Sequence, residues 1–169
     1  MLRSILLRAA HCAALFILAL CLSMPAYFVH VTPAHARMRI DRLTIEPQGG
    51  GAGQPLDVEV AATDSEKAVG LMFRTKLTDK EGMLFPYGRN QDITMWMRNT
   101  YIPLDIVFIR ADGVIHRIEA HTEPLSERII AAGAQVAAVL ELAGGAAERL
   151  GIKPGDRVRH SVFDAAKEP

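Results

Sequence analysis

The chain has 169 residues, and its 19 basic side chains are balanced by 19 acidic ones. A protein that binds nucleic acid usually has more basic than acidic side chains, so nucleic acid is not an expected partner. Both cysteines, Cys12 and Cys21, lie within the first 36 residues. The rest of the chain therefore has no thiol for catalysis or for a cysteine-based metal site.

The first 36 residues have the three-part order of a cleavable export signal. Two arginines precede an apolar core over residues 13–24, and a polar end that reads AHA at 34–36 follows. An apolar core of about twelve residues is short of the roughly 20 that a membrane-spanning helix needs. We therefore expect cleavage after Ala36 and release of a periplasmic or extracellular domain, which involves the membrane only before cleavage. A retained membrane anchor is the alternative.

Cleavage would leave 133 residues, with 17 basic side chains against 19 acidic ones and no cysteine. This length suits one domain with a single core. A thiol-free domain suits an oxidising compartment, because no stray disulfide can form. The glycines at 49–53 lack the lysine and hydroxyl of a phosphate-binding loop, so no nucleotide cofactor is expected, and no other cofactor is indicated.

The mature chain begins with a predicted strand and a Gly-rich loop over residues 37–55. Leu56, Val58 and Val60 then alternate with acidic residues, which indicates a strand with one wet face. The sequence TDSE at 63–66 has the spacing of a capping box, so a short helix is predicted to follow.

The middle of the chain is predicted to form further short strands. Two apolar segments, at 82–85 and 93–97, are bounded by proline, glycine and asparagine and read as separate strands. A third, at 104–109, is almost entirely apolar, which indicates a strand covered on both faces. An Asp-Gly pair joins it to a strand at 114–118, and this dipeptide is a strong signal for a two-residue β-hairpin.

The last third contains a predicted strand at 136–142, a short helix at 144–150, a Lys-Pro-Gly-Asp turn and a final strand through Val162. Residues 164–169 form a tail. About eight short strands and two short helices predict a mainly β fold, either a β-sandwich or a barrel.

Four motifs point to a known family: GLMFR at 70–74, EGMLF at 81–85, WMRNTYIPLDI at 96–106 and GIKPGD at 151–156. Together they closely resemble the domain of unknown function 192 family of bacterial and archaeal proteins, over about residues 56–163. The resemblance implies a single jelly-roll-like β-sandwich or partly closed barrel, often carried behind an export leader or membrane anchor. It implies no agreed activity.

Asp105 is the first candidate for chemistry, because it lies between apolar residues in a strand, where an unpaired carboxylate would be costly to bury. The simpler interpretation gives it a structural partner, either Arg74 or Arg98 or the backbone amides of the turn that begins at Asn99. The functional interpretation makes it an acid, a base or a ligand-orienting group beside Asn99 and Trp96.

Arg74 and Arg98 allow two interpretations as well. A guanidinium can orient an anionic ligand through paired hydrogen bonds. The simpler interpretation is that the two arginines form internal ion pairs with Asp105 and Glu81.

Trp96 is flanked by Met95 and Met97, and strand alternation would send the indole to one face and both thioethers to the other. The simpler interpretation is core packing, since methionine fills irregular gaps and contacts aromatic rings favourably. The alternative is a Cu(I) site that uses Met95 and Met97 with Met72 or Met83 and a histidine, because Cu(I) prefers soft sulfur ligands.

Other combinations of polar residues give little support for an active site. His116, Glu119 and His121 are close in sequence, but on a strand His116 faces away from the other two, and two ligands do not make a closed zinc site. Ser126 and Ser161 lack the surroundings of a nucleophile elbow. We therefore expect neither a metal site nor a serine hydrolase.

These observations favour a non-catalytic envelope domain that binds a small polar ligand, while an enzyme remains less expected. The candidate ligand-binding residues are Trp96, Asn99, Asp105, Arg74 and Arg98. One alternative is an envelope module that binds another protein through a sheet edge or an apolar patch. The others are a Cu(I)-handling protein built on Met95 and Met97 and an enzyme built on Asp105.

Overall fold

A computed structural model of the chain describes residues 38–164. The predicted export signal with its two cysteines, and all but the first residue of the predicted C-terminal tail, lie outside the described residues. The elements in chain order are β1 (Arg39–Glu46), β2 (Gln54–Val60), α1 (Asp64–Val69), β3 (Glu81–Met95), β4 (Leu104–Ile109), β5 (Ile115–Glu119), β6 (Ile130–Ala143), α2 (Ala146–Arg149), β7 (Arg157–Arg159) and a single 3-10 turn (Ser161–Phe163). Within residues 38–164 no helix is long and apolar enough to span a membrane.

The seven strands form one sheet in the order β5-β4-β6-β3-β2-β1-β7. All neighbours are antiparallel except β2 and β3, which run parallel and are connected through α1. The two outermost strands approach each other, because Val114, just before β5, forms an antiparallel bridge with Arg157 of β7. The sheet is therefore a nearly closed barrel, which confirms the predicted mainly β fold in its partly closed form.

β3 explains why the barrel has seven strands where about eight were predicted. The segment predicted at 82–85 and the first three residues of the one predicted at 93–97 belong to one 15-residue strand, which ends at Met95. β3 pairs with β6 along its length, and the register shifts between Pro86 and Gln91 and again between Asp92 and Thr94. Such irregularities bend a strand without ending it, so the proline and glycine mark a bend here.

Other local predictions are confirmed in whole or in part. β4 and β5 form the predicted antiparallel hairpin, but the two-residue turn predicted at Asp112-Gly113 is wrong. The Gly113 amide donates to the Arg110 carbonyl at 2.9 Å, so Ala111 and Asp112 form the centre of the turn, and Gly113, with a φ of 80°, follows it. The Thr63 side chain accepts a hydrogen bond from the Glu66 amide, and the Glu66 carboxylate accepts one from the Thr63 amide, so the capping box at the start of α1 is complete. The helix predicted at 144–150 is present but has only four residues. The last strand, predicted to run through Val162, ends instead at Arg159, and Ser161–Phe163 form a 3-10 turn.

The apolar side chains divide between two faces of the sheet. One cluster draws on all seven strands and fills the barrel interior, with Leu43, Val58 and Leu140 among its members. The second cluster lies on the other face of β3, β4 and β6, with Ile106 and Val139 among its members, and is covered by loop residues. Strand alternation produces this division, since successive side chains point to opposite faces. The second cluster forms the base of the candidate site.

Candidate functional site

A pocket of about 320 Å³ opens over the second apolar cluster. α1 and the turn after it form one wall, β3 forms another, and the loop after β3 forms the rim. Its lining residues are Asp64, Lys67, Ala68, Val69, Gly70, Leu71, Met72, Phe85, Tyr87, Thr94, Met95, Trp96, Arg98, Thr100 and Glu141. Three of these side chains are aromatic and two are methionines, so the walls are apolar and polarisable.

Glu141 is the polar group at the base of this pocket. It lies on β6 opposite Met83 of β3 and Ile106 of β4, both members of the second apolar cluster, and only 4% of its surface is exposed. Its Oε2 atom is buried and has no hydrogen-bond partner among the described residues. An unpaired carboxyl oxygen in apolar surroundings costs free energy, so this position is unfavourable for folding alone.

Burial changes the protonation of this site. It raises the pKa of Glu141 to about 8, because the apolar surroundings disfavour the carboxylate form. The pKa of Tyr87 is also raised, first by its own burial and then by the charge of nearby Glu141. At neutral pH the pocket therefore holds a protonated carboxyl that can donate as well as accept a hydrogen bond.

Two cations lie at the rim, each over an aromatic ring. The Lys67 ammonium is 4.9 Å from the centre of the Tyr87 ring, and the Arg98 guanidinium is 5.2 Å from the Trp96 ring. Arg98 also forms an exposed ion pair of 3.2 Å with Glu127. Both distances fall within the range of cation–π attraction, in which the negative face of an aromatic ring attracts a positive charge.

Of the five residues predicted to bind a ligand, Trp96 and Arg98 line this pocket. Trp96 is 46% exposed, so the interpretation that placed it in the core is wrong. The predicted alternation itself holds, since Met97 is fully buried on one face and Trp96 is exposed on the other, and the face that carries Trp96 opens to the pocket. Asn99 lies next to the pocket, with its amide nitrogen 3.9 Å from the sulfur of Met72. The structure thus brings three of the predicted residues together.

Asp105 lies away from the pocket and serves as an anchor for the backbone. It is fully buried, and its carboxylate accepts three hydrogen bonds. The amides of His121 and Gly145 donate to Oδ1 at 2.8 and 2.9 Å, and the amide of Ala147 donates to Oδ2 at 2.9 Å. The carboxylate ties β4 to the loop after β5 and to the start of α2.

Arg74 lies in a different groove and binds Glu59, with its Nη2 atom 2.6 Å from both carboxylate oxygens. Both arginines therefore form ion pairs, as one interpretation predicted, but their partners are Glu59 and Glu127 and not Asp105 and Glu81. The Glu81 carboxylate accepts instead from the backbone amide of Thr78 at 2.9 Å.

The methionines are divided between pocket and core. Met72 and Met95 line the pocket, whereas Met97 is fully buried and its sulfur accepts a 3.1 Å hydrogen bond from the Thr122 hydroxyl. No group of three or more histidine, aspartate or glutamate side chains within residues 38–164 is arranged to hold a metal ion. Glu119 pairs with Arg128 at 2.5 Å.

Sequence reasoning missed Glu141, Lys67 and Tyr87. A signal for Glu141 was present, since it is a lone acid in the apolar run VAAVLEL over residues 136–142. The argument that selected Asp105, a charge inside an apolar strand, applies equally to Glu141. Lys67 and Tyr87 carry no such signal, because only the fold brings α1 and β3 to the same pocket.

Two solved protein structures are similar to this chain. A protein from Sinorhizobium meliloti 1021, proposed to be a transcription regulator, shares 40% identity, covering 74% of this chain and 96% of its own, with a TM-score of 0.71. A protein of unknown function from Novosphingobium aromaticivorans DSM 12444 shares 44% identity, covering 73% of this chain and 86% of its own, with a TM-score of 0.69. No curated protein matches. The model of DUF192, described as an uncharacterized ACR, matches residues 45–160, and the chain therefore belongs to the DUF192 family.

Proposed function

We propose that this protein is an exported, non-catalytic domain that binds a small ligand in the pocket over Glu141. The observation that carries the proposal is the buried Oε2 atom of Glu141, which has no partner among the described residues and lies at a concave, aromatic-lined surface. Folding alone does not favour such an atom. A ligand that forms a hydrogen bond with Glu141 Oε2 removes the free-energy cost of the unpaired atom, and this change contributes to the free energy of binding.

The form of the pocket supports the same proposal. Small-molecule sites combine mostly apolar walls with a few placed polar groups. Here Phe85, Tyr87 and Trp96 supply the apolar area, while Glu141 and the hydroxyl-bearing Thr100 supply polar groups. An enzyme built on Asp105 has less support, because its carboxylate is already committed to three backbone amides.

The ligand-binding proposal predicts that small molecules stabilise the protein through this pocket. Fragments that bind should raise the melting temperature, since a ligand at a hundred times its Kd adds about 2.7 kcal/mol to the free energy of unfolding. Ala68→Phe places a ring at the pocket mouth and should abolish the shift. Ala62→Phe, the same change at an exposed residue away from the lining, should leave the shift intact.

A second candidate is an envelope module that binds another protein. Phe73, Tyr101 and Leu125 form an exposed apolar surface beside the pocket, with the rings of Phe73 and Tyr101 6.0 Å apart. Phe73 and Leu125 have positive φ angles of 64° and 62°, which are unusual for bulky residues and are held by hydrogen bonds to the backbone of Asn99 and Thr100. If no fragment shifts the melting temperature, or if Ala68→Phe responds as Ala62→Phe does, this second candidate replaces the first.

The proposed export has its own test. The mature protein recovered from the periplasm or medium of a bacterial host should begin at Arg37, because the small residues of the AHA sequence favour cleavage after Ala36. N-terminal sequencing and intact mass measure the cut directly. Recovery of the uncut chain in the membrane fraction would instead support a retained anchor.

A further inference from the structure

We infer that the pocket selects a small zwitterion, whose ammonium end reaches Glu141 and whose anionic end stays at the rim beside Lys67 and Arg98. This inference rests on the proposed ligand-binding function and specifies the class of ligand. It follows from where the ionisable side chains lie in the pocket. Glu141 is at the base, and Lys67 and Arg98 are at the rim.

The base of the pocket favours an ammonium group. Glu141 Oε2 lacks a donor, and an ammonium supplies up to three N–H donors together with a positive charge. The attraction between the ammonium and the carboxylate form of Glu141 is strong there, because the surroundings are apolar and little water screens it, and it offsets the loss of the proton that this carboxyl holds at neutral pH. The aromatic walls add to it, since the rings of Tyr87 and Trp96 already attract the cations of the chain itself.

The rim excludes a simple amine. Lys67 and Arg98 both line the pocket, and each would repel a ligand that carries only positive charge. Asp64, which lies on α1 with Lys67, and Glu127, which pairs with Arg98 at 3.2 Å, offset part of that charge. A ligand with only negative charge would be attracted by the rim but would leave Glu141 without a donor. A zwitterion satisfies both ends.

The size of the pocket limits the ligand. Small-molecule sites enclose about 300–1,000 Å³, and this pocket, at about 320 Å³, lies at the small end of the range. Its methionine and aromatic walls suit a short methylene chain between the two charged ends. Amino-acid-sized molecules with separated charges therefore fit best.

Binding of an ammonium also releases a proton. At neutral pH the Glu141 carboxyl holds one, and the carboxylate that pairs with the ammonium does not, so the proton leaves to water. Tyr87 of β3 lies near this carboxyl, and the apolar Ile106 of β4 lies opposite Glu141. The charged groups that share the pocket with it are Lys67 and Asp64 from α1 and Arg98 from the loop after β3. Glu141 is the group that the bound ammonium contacts, so the released proton is its own.

A matched set of three probes tests the inference. δ-Aminovalerate carries both charges, pentylamine carries only the ammonium, and valerate carries only the carboxylate. Calorimetric titration at neutral pH should show δ-aminovalerate binding about tenfold or more tightly than either of the others, which corresponds to about 1.4 kcal/mol. Titration in two buffers of different ionisation enthalpy should show release of about one proton per zwitterion bound.

Three variants assign the two ends. Glu141→Gln should reduce the affinity for δ-aminovalerate to that for valerate and abolish proton release. Lys67→Gln should reduce the affinity for δ-aminovalerate towards that for pentylamine, while Lys153→Gln, at an exposed turn away from the pocket, should not. The inference is overturned if pentylamine binds as tightly as δ-aminovalerate, if Glu141→Gln leaves the preference unchanged, or if none of the three probes binds. In the last case, fragments blocked by Ala68→Phe would still support the proposed function.

Discussion

Asp105→Asn should lower the free energy of unfolding by about 2–4 kcal/mol. The carboxylate accepts from the amides of His121, Gly145 and Ala147 through both oxygens. In asparagine an NH₂ group replaces one of the two carboxylate oxygens, and this group donates hydrogen bonds but does not accept them. At least one of the three backbone amides would therefore lose its acceptor in a buried site. Denaturant unfolding followed by circular dichroism measures the loss.

Asp57→Asn is the matched control for this substitution. Asp57 lies on β2 with an exposed carboxylate that pairs with Arg42 at 3.1 Å. Such surface pairs contribute about 0–1 kcal/mol, so this variant should unfold close to the wild type. An Asp105→Asn protein as stable as Asp57→Asn, but without ligand binding, would instead assign Asp105 a functional role.

Stability should fall as the pH rises through neutrality, and Glu141 should be the cause. Its pKa is about 8 in the folded protein, raised from an ordinary value of 4.5 by burial. Between these values the folded state holds a proton that the unfolded state has lost. The free energy of unfolding therefore decreases by about 1.4 kcal/mol for each unit of pH in this window, and it levels off above the folded pKa. Below pH 4.5 both states are protonated and Glu141 has no further effect.

Glu141→Gln should remove this slope, because glutamine stays neutral at every pH. The stability of the variant relative to the wild type should therefore rise from pH 5 to pH 8, as measured by denaturant unfolding at each pH. Glu123→Gln, at an exposed position, should follow the wild type. The other acids with resolved shifts, Glu66, Asp79, Glu81 and Glu119, have lowered pKa values, so their effects lie at lower pH. Parallel curves for the Glu141→Gln and wild-type proteins would contradict the assignment.

Local patterns in the sequence were sufficient for most of the fold. The capping box at residues 63–66 and the β4–β5 hairpin depend on neighbouring residues, and both were predictable. The parallel pairing of β2 with β3 was not, because it brings together strands separated by α1 and no local pattern records it. The continuity of β3 was not predictable either, because Pro86 and Gly88 are as compatible with a turn between two strands as with a bend within one strand.

The candidate site was only partly predictable for the same reason. Trp96 and Arg98 belong to one continuous motif, so the prediction placed them together. Asp105 belongs to that motif as well, but its side chain points to the face of β4 opposite to that of Ile106, beside the start of α2. Glu141 is important for the site because it is buried at the base of the pocket, and its burial depends on which strands pair with β6. A single acid in an apolar run indicates a costly position without saying whether backbone amides or a pocket surround it.

The short outer strands of the barrel also bear on its behaviour in concentrated solution. β5 and β7 have five and three residues, and the backbone between them is used internally, with the Ile115 amide donating to Asp156 at 2.8 Å and the Val158 amide donating to Gly113 at 2.8 Å. An exposed strand edge is where a second β-protein molecule adds its own strand, which is the usual first step towards fibrils. By bringing its outer strands together, this barrel leaves little edge on which such growth can begin.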